Sequence, residues 1–184
     1  MAYQIAARDK QLRDLIEELK KSRDNLSKSL EETVMSLAST AEKRDPYTAG
    51  HQERVTRLAL AIAKEQGLPD QQIEGLHFAA MLHDIGKIAL PAEYLAKPTQ
   101  LSEVERLVIQ HHAEVGYDIL KNIHFPWPVA EIVYQHHEHL DGSGYPRGLT
   151  DKEIHLAAKI LAVADVVEAM SSHRPYRPSL GTTA

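Results

Sequence analysis

The stretch HHEHLDGSGYP, residues 136–146, brings three histidines, two carboxylates and a glycine-rich turn into eleven residues. The whole chain has 11 histidines among its 184 residues. Adjacent histidines also occur at His111 and His112, and His83 is followed directly by Asp84. Imidazole and carboxylate groups together suit iron, manganese and zinc. A functional interpretation of this sequence therefore has to explain its histidines.

Composition limits the classes of protein to consider. The chain has no cysteine, which excludes disulfides and thiolate zinc sites and leaves imidazole and oxygen ligands for any metal. Its 26 acidic and 21 basic side chains give a net charge of -5 without a dense basic block, so a polynucleotide partner is not expected. The charged N-terminus has no signal-peptide core, and no run of about 18 apolar residues occurs. We expect a cytoplasmic protein without direct membrane insertion.

The first 44 residues carry a heptad pattern typical of a coiled-coil helix. Three polar residues, Asp9, Arg23 and Thr33, interrupt the apolar seam, which predicts a weakly stable coil that transmits a signal. We expect a parallel homodimer through this helix. The alternative is an amphipathic helix that packs on its own domain. The seam consists of Ile5, Leu12, Ile16, Leu19, Leu26, Leu30 and Leu37.

The remainder of the chain reads as one all-α domain. Pro46 ends the heptad pattern, so we place the domain boundary near Arg44, with residues 1–44 as the signalling helix and residues 45–184 as the second domain. Capping boxes at Ser102 and Thr150, each with a glutamate three residues later, predict two helix starts. No segment shows convincing period-2 alternation, which argues against strands.

Five histidines and two aspartates are candidate metal ligands. An aspartate carboxylate has two oxygens, so Asp84 is the natural bridge between two metal ions. An unpaired buried carboxylate at Asp165, amid apolar neighbours, would cost several kcal/mol or more, and a cation would compensate it. The alternative is a set of scattered surface histidines. For His77, His124, His155 and His173 we keep the ordinary interpretation of a single helical histidine, which is a packed or solvated side chain. The candidates are His51, His83, Asp84, His112, His136, His137 and Asp165.

Four segments resemble the HD-GYP domain, a branch of the HD phosphohydrolase superfamily. They are HDIGK, QHHAEVG, QHHEHLDGSGYPRGL and AVADVVEAMSSHRPYR, and the resemblance extends from about Arg44 to Leu180. It implies an all-α, HD-type helical bundle, here preceded by the long N-terminal helix. It also implies metal-dependent hydrolysis of cyclic di-GMP, a bacterial second messenger, to linear pGpG and often on to GMP.

The resemblance also implies a division of the ligands between two metal ions. His51, His83, Asp84 and Asp165 would hold one ion, and Asp84, His112, His136 and His137 the other, with a bridging water or hydroxide. Some family members hold a third ion through a glutamate, but Tyr47 stands at that position here. We therefore predict a binuclear site, with Asp45 as a weaker substitute ligand. Iron and manganese are the expected metals, and zinc, magnesium and nickel are alternatives.

Further residues are expected to contact the substrate. Lys87 lies about one helical turn after Asp84, where its ammonium can reach a phosphate oxygen, although a solvated lysine is the alternative. Gly142 and Gly144 permit positive φ and close approach of backbone amides to an anion. Given the resemblance, Asp84 and Lys87 are the catalytic residues, and Tyr145 packs against a guanine. Arg174 and Arg177 would clamp the second phosphate.

Two other functions compete with this interpretation. In the first alternative the chain is a general HD nucleotide phosphohydrolase. In the second it is a module that binds cyclic di-GMP without turnover. The segment DGSGYP argues against the first and the complete ligand set against the second. Domains of the family continue into further helices and join upstream sensor or receiver domains. We therefore expect a domain truncated at its C-terminus. The acid that protonates the leaving group is left open.

Overall fold

The computed structural model describes residues 2–44, 50–97 and 99–171, with side chains from residue 8 onward. These residues form helices joined by turns, and no β-strand occurs among them; Asp141 and Thr150 form an isolated bridge. The predicted all-α fold is confirmed. The α-helices are α1 (Ala2–Glu42), α2 (His51–Glu65), α3 (Asp70–Leu82), α4 (Ala92–Leu95), α5 (Glu103–Gln110), α6 (His112–Leu120), α7 (Val129–Gln135) and α8 (Leu156–Ser171), and a 3-10 helix spans Ile85–Ala89.

Residues 1–36 and residues 37–184 form two compact units. The predicted long N-terminal helix is confirmed, since α1 runs unbroken for 41 residues. In the first unit, Leu12, Leu19 and Leu26 are 58%, 61% and 73% exposed, as an unpaired coiled-coil seam would be. None of the helices in the described part of the chain combines the length and apolar character needed to cross a membrane. The dimer and the domain boundary at residue 44 stay predictions.

The second unit is built around helices that approach each other closely. Helix α2 packs against α3 and α8, while α6 packs against the 3-10 helix and α7. Small side chains at these contacts let helix axes come close together, so groups at helix ends converge. The fully buried alanines are Ala59, Ala63, Ala79, Ala80, Ala113, Ala158 and Ala164.

The 3-10 helix after Asp84 is held from two sides. Arg44, just beyond the end of α1, donates to the carbonyls of Ile88 (2.7 Å) and Leu90 (3.1 Å). On the other side, Gly86 lies against α6 so closely that a Cβ there would come 2.0 Å from the carbonyl oxygen of His112. The segment that carries His83 and Asp84 is therefore fixed against the segment that carries His112.

One of the two predicted helix starts is correct. Ser102 and Glu105 form a complete capping box at the start of α5. At Thr150 the prediction is wrong, because the Thr150 hydroxyl donates to the Glu153 carboxylate and the chain makes only a turn. The backbone amide of His155 then donates to the Gln135 side chain, and α8 begins at Leu156 with His155 Nδ1 accepting from the amide of Ala157.

Candidate metal centre

The seven predicted ligands converge in one region of the second unit. Six of them form two sets of three, and within each set the ligand atoms lie within 4.8 Å of one another. The first set, called the His51 group, consists of His51, His83 and Asp165; the second, called the His112 group, consists of His112, His136 and His137. Asp84 lies between them. The sequence-based alternative of scattered surface histidines is wrong for these residues, since four of the imidazoles are at most 3% exposed.

Three of the imidazoles are oriented by the backbone of the helical turn that precedes them. The Nδ1 atoms of His83, His112 and His136 lie 2.8, 2.7 and 2.5 Å from the carbonyl oxygen three residues earlier. A carbonyl can only accept, so Nδ1 carries the proton and Nε2 of a neutral ring has a lone pair. These carbonyls belong to final helical turns, where carbonyls have no helical partner. Each helix end therefore fixes a ring with its lone pair available to a metal ion.

His51 is oriented differently, by two carboxylates of α8. Its Nε2 lies 3.1 Å from Oδ1 of Asp165, and its Nδ1 hydrogen-bonds Oε2 of Glu168. The other oxygen of Glu168 accepts from Nε of Arg54 at 2.6 Å. Both Glu168 and His51 are buried. The pair His51 and Arg54 on α2 thus faces the pair Asp165 and Glu168 on α8, each pair three residues apart.

The Asp84 carboxylate has one oxygen toward each group. Its Oδ2 lies 3.5 Å from Nε2 of His83, while its Oδ1 lies 3.7 Å from Nε2 of His112. Only 5% of Asp84 is exposed. The ring centroids of His83 and His136 are 5.3 Å apart, so the two groups adjoin each other directly. The arrangement gives a carboxylate bridge between two neighbouring clusters of nitrogen ligands.

Burial keeps the imidazoles of the His112 group neutral. It lowers the pKa of His136 to about 3, with a further contribution from the neighbouring His83 and His112. Burial likewise lowers the pKa of His112, and it takes the pKa of His137 well below its usual value with help from the two adjacent imidazoles. Neutral imidazole is the form that binds metal ions. These three ligands are therefore available at neutral pH and below it.

The carboxylates are held in their charged form. Burial acts to raise the pKa of Asp84, but the Lys87 ammonium and the nearby imidazoles outweigh it and hold that pKa well below its usual range. Burial opposes the same change at Asp165, whose pKa is lowered by its hydrogen bond to His51. In return, and against the effect of burial, Asp165 raises the pKa of His51. The metal-free chain thus favours a charged pair at His51 and Asp165.

The donor set of imidazole nitrogens and carboxylate oxygens fits divalent metal ions. The Nε2 atoms of His112 and His136 lie 3.4 Å apart, and neither carries a proton when both Nδ1 atoms do. Two lone pairs facing each other repel unless a cation lies between them. The buried Nε2 of His83 also has no hydrogen-bond partner among the described residues. One cation in each group would satisfy all three nitrogens.

Lys87 is neither distant from the site nor fully solvated. Its Nζ lies 2.7 Å from Oδ2 of Asp84, and its side chain is 16% exposed. The sequence predicts a position one turn after Asp84; the turn is the 3-10 helix, in which residues three apart lie on the same face. The ammonium therefore lies at the rim of the centre, beside the bridging carboxylate.

The glycine-rich loop forms a wall of the centre. The ring of Tyr145 stacks on His137 with centroids 4.7 Å apart, and burial next to the two aspartates raises the pKa of its hydroxyl. The buried carboxylate of Glu138 anchors the loop, since its two oxygens accept from the amides of Arg147 (2.7 Å) and Leu149 (2.8 Å). The predicted ligand His137 thus covers one face of the Tyr145 ring, and Glu138 holds the loop in this position.

The two loop glycines are required for different reasons. Gly142 has a φ of 79°, as the sequence predicts. Gly144 does not use the positive φ that glycine permits. It is glycine because a Cβ would come 2.3 Å from the backbone nitrogen of His139. The loop folds back on the segment that follows His137 only if residue 144 has no side chain.

Some predicted residues lie outside the part of the chain that the structure describes, and some residues near the centre were not predicted. Tyr47, Asp45, Arg174 and Arg177 lie outside the described residues. Sequence reasoning missed Arg54, Glu138 and Glu168, which surround the ligands. A spacing signal was present, because Arg54 and Glu168 each follow a predicted ligand by three residues and so share its helix face.

Comparison with known proteins identifies the family. The model of the HD domain family matches residues 13–183, so the chain belongs to this family. The resemblance to HD-GYP domains is confirmed as well. A solved HDG"Y"P protein from Bdellovibrio bacteriovorus, Bd1817, is 26% identical with a TM-score of 0.59, covering 66% of this chain and 40% of its own.

Curated relatives are more similar in sequence. The "Cyclic di-GMP phosphodiesterase response regulator RpfG" of Xanthomonas campestris is 43% identical over 148 residues, 79% of this chain and 39% of its own length. The "3'3'-cGAMP-specific phosphodiesterase 1" of Vibrio cholerae is 40% identical over 147 residues, 80% of this chain and 34% of its own length. The chain thus spans less than half the length of these relatives.

Proposed function

We propose that the chain is the catalytic domain of a metal-dependent phosphodiesterase that hydrolyses cyclic di-GMP to linear pGpG, with GMP as a further product to be tested. The observation that carries the proposal is the position of Asp84, with Oδ1 toward the His112 group and Oδ2 toward the His51 group. Carboxylate bridges of this kind serve two-metal hydrolases of phosphate esters.

In this proposal two divalent or trivalent ions, iron or manganese, bind to the seven residues. The His51 group and Asp84 hold one ion, while the His112 group and Asp84 hold the other. Nitrogen and oxygen donors without sulfur suit these metals. Tyr47 lacks the carboxylate that a third ion would need, so we keep the number at two.

The chemistry that such ions supply when bound is activation of water and neutralisation of phosphate charge. The protein contributes positioning. Asp84 holds the two ligand groups in register, and helix-end carbonyls prevent three imidazoles from turning away. Lys87, at the rim, is suited to donate to a non-bridging phosphate oxygen, where an additional positive charge stabilises the transition state.

Loop residues would supply contacts to the rest of the substrate. The amides around Gly142 and Gly144 can approach an anion closely, because these two residues have no side chains. Tyr145 packs on His137 with one ring face, so a guanine would use its edge or its other face. Arg174 and Arg177, with planar guanidinium groups, would bind the second phosphate.

A second substrate is favoured by one observation. The relative from Vibrio cholerae that is 40% identical is named as specific for 3'3'-cGAMP, which differs from cyclic di-GMP in one base. The 43% identical relative is named for cyclic di-GMP. We therefore propose cyclic di-GMP as the preferred substrate and 3'3'-cGAMP as the competitor to be compared with it.

The experiment is hydrolysis by the anaerobically purified, manganese- or iron-loaded chain. Cyclic di-GMP, 3'3'-cGAMP and GTP are incubated separately and the products are separated by chromatography. We expect pGpG from cyclic di-GMP and no reaction with GTP. Intact cyclic di-GMP in the presence of a chain shown to hold two metal ions would contradict the phosphodiesterase proposal and favour a binding module. Hydrolysis of GTP would favour a general nucleotide phosphohydrolase.

The proposal includes the surroundings of the catalytic domain. A parallel homodimer through α1, and an upstream sensor or receiver domain that acts through it, would connect turnover to a signal. The exposed leucine row of α1 supports the dimer. Cyclic di-GMP is an intracellular messenger, so the proposed place of action is the cytoplasm. Light scattering of the purified chain tests the dimer, and a monomeric mass at high concentration would contradict it.

A further inference from the structure

Glu168 is a buried carboxylate that the proposed reaction does not use. Both of its oxygens have partners, because Oε2 contacts Nδ1 of His51 and Oε1 accepts from Nε of Arg54. Its side chain is only 6% exposed. Glu168 contacts the edge of the His51 ring that faces away from Asp165, so the metal-facing edge is the opposite one. These contacts give Glu168 a place behind a ligand.

His51 has a side chain as its partner where three other imidazoles have a carbonyl. His83, His112 and His136 all use a carbonyl from a preceding helical turn to hold the Nδ1 proton. His51 and His112 are both the first residues of their helices, but α5 ends just before His112, whereas Gly50 before His51 has a left-handed backbone. For His51 the acceptor is Glu168, which α8 supplies.

We propose that Glu168 is the positioning residue for His51: by accepting the Nδ1 proton it fixes the ring so that Nε2 points at the metal centre. The inference rests on the proposed metal-binding function of His51. Partners of this kind fix the tautomer and raise the basicity of a ligating imidazole. Arg54, which donates to the same carboxylate, holds Glu168 in place. α2 and α8 therefore deliver one ligand each, and α8 also orients the ligand of α2.

A purely structural role makes a different prediction. If Glu168 only joined α2 to α8 through its ion pair with Arg54, any neutral residue there would have the same effect. Glu168→Gln removes the charge but keeps an oxygen that can accept from Nδ1, whereas Glu168→Leu removes the acceptor. The two variants therefore separate hydrogen bonding to His51 from pairing with Arg54. Glu131→Gln, which alters a different glutamate next to an arginine, Arg147, is the matched control.

The test is a titration of the metal-free full chain with Zn²⁺ against a competing chelator, together with thermal unfolding before metal is added. We expect two Zn²⁺ ions in the wild type and in Glu131→Gln. In Glu168→Leu the affinity for one ion should fall roughly 10- to 100-fold while the other is retained. The affinity of Glu168→Gln should be closer to that of the wild type than to that of the leucine variant.

Nitrogen-15 spectra of histidine in the Zn²⁺-loaded protein give a readout independent of turnover. His51 should carry its proton on Nδ1 in the wild type and in Glu168→Gln, and lose this signature in Glu168→Leu. Equal Zn²⁺ affinities in wild type and Glu168→Leu, or equal losses in the two Glu168 variants, would overturn this inference alone. A wild-type chain that binds no Zn²⁺ would overturn the proposed metal centre and the inference with it.

Discussion

Individual residues of the centre are held by contacts that leave one atom available. The Nδ1 proton of each fixed imidazole is engaged by a carbonyl or by Glu168, and one edge of the ring remains for a ligand interaction. Asp84 is the residue on which both groups depend, because its carboxylate lies between them. Its charge is maintained by Lys87 at 2.7 Å.

Asp84→Ala should abolish binding of both metal ions and hydrolysis of cyclic di-GMP. The remaining imidazoles are neutral ligands, and loss of a bridging carboxylate should exceed the roughly 10- to 100-fold effect of losing an indirect partner. Metal content after purification and chromatography of products are the measurements. Asp118→Ala is the matched control, because Asp118 forms the same type of pair with Lys121 on an exposed surface. Full metal occupancy in Asp84→Ala would refute the bridging assignment.

The Lys87→Ala variant should bind both metal ions but hydrolyse cyclic di-GMP slowly. If the ammonium stabilises charge on the phosphate, its loss should reduce kcat by roughly 10²- to 10³-fold. If Lys87 only pairs with Asp84, metal affinity should change and kcat should not. Steady-state kinetics and metal analysis of Lys87→Ala and of Lys121→Ala as control distinguish these cases, and an unchanged kcat would remove Lys87 from the catalytic residues.

Several candidate ligands lie at the ends of helices. His83 follows α3, His136 follows α7, and His51 begins α2. Helix ends offer unsatisfied carbonyls that orient side chains, and close packing of alanine-rich faces brings the ends together. The contact between the 3-10 helix and α6 leaves no space for a side chain at residue 86, because Gly86 lies against the backbone of His112 and Gly116.

Gly86→Ala should destabilise the fold and disturb the centre together. The added Cβ would come 2.0 Å from the carbonyl oxygen of His112 and 2.6 Å from the nitrogen of Gly116, so the 3-10 helix and α6 must separate. Overpacking typically costs about 1–3 kcal/mol, and backbone atoms on both sides favour the upper end. Urea unfolding and metal content are the measurements.

Gly67→Ala is the control for Gly86→Ala. Gly67 has a φ of 70° but no atom within 4 Å of an added Cβ, so it should lose about 1–2 kcal/mol from backbone strain alone and keep its metal ions. Equal metal content in Gly86→Ala and the wild type would show that the contact between the 3-10 helix and α6 does not position the ligands.

Sequence patterns predicted these elements unequally. The cap at Ser102 was predictable because its hydroxyl and the Glu105 carboxylate act locally, within one helical turn. The same pattern failed at Thr150 because Gln135, distant in sequence, captures the amide of His155 and delays the helix to Leu156. Residue chemistry and family resemblance named the seven candidate ligands, which the structure brings together, and their binding of two ions stays a prediction. The partnership of His51 with Glu168 depends on how α2 packs on α8, which no local pattern contains.

For the whole molecule, the gathered histidines make stability depend on pH. The pKa of His136 is lowered to about 3, and those of His112 and His137 are lowered as well. In the unfolded chain all three would titrate near about 6.5. The folded state therefore binds fewer protons than the unfolded state at mildly acidic pH. His51, with a raised pKa, acts in the opposite sense.

The metal-free chain should lose stability as the pH falls from 7 toward 4. The contribution of the three neutral histidines is fully present above about pH 6.5 and declines below it, by up to about 1.4 kcal/mol per pH unit for each. The lowered pKa values of Asp84 and Asp165 add a loss in the same direction at lower pH. Urea unfolding in the presence of a chelator, repeated at several pH values, measures this loss of stability. A free energy of unfolding that is unchanged or higher at pH 5 would contradict the buried, neutral state of these rings.

In the proposed centre, seven side chains from separate segments gather two metal ions around Asp84. Anomalous diffraction at the manganese edge, from crystals of the manganese-loaded chain, would locate these ions. We predict two anomalous peaks, one among His51, His83 and Asp165 and one among His112, His136 and His137, with an oxygen of Asp84 toward each. A single peak, or peaks that these residues do not contact, would rule out a binuclear centre bridged by Asp84.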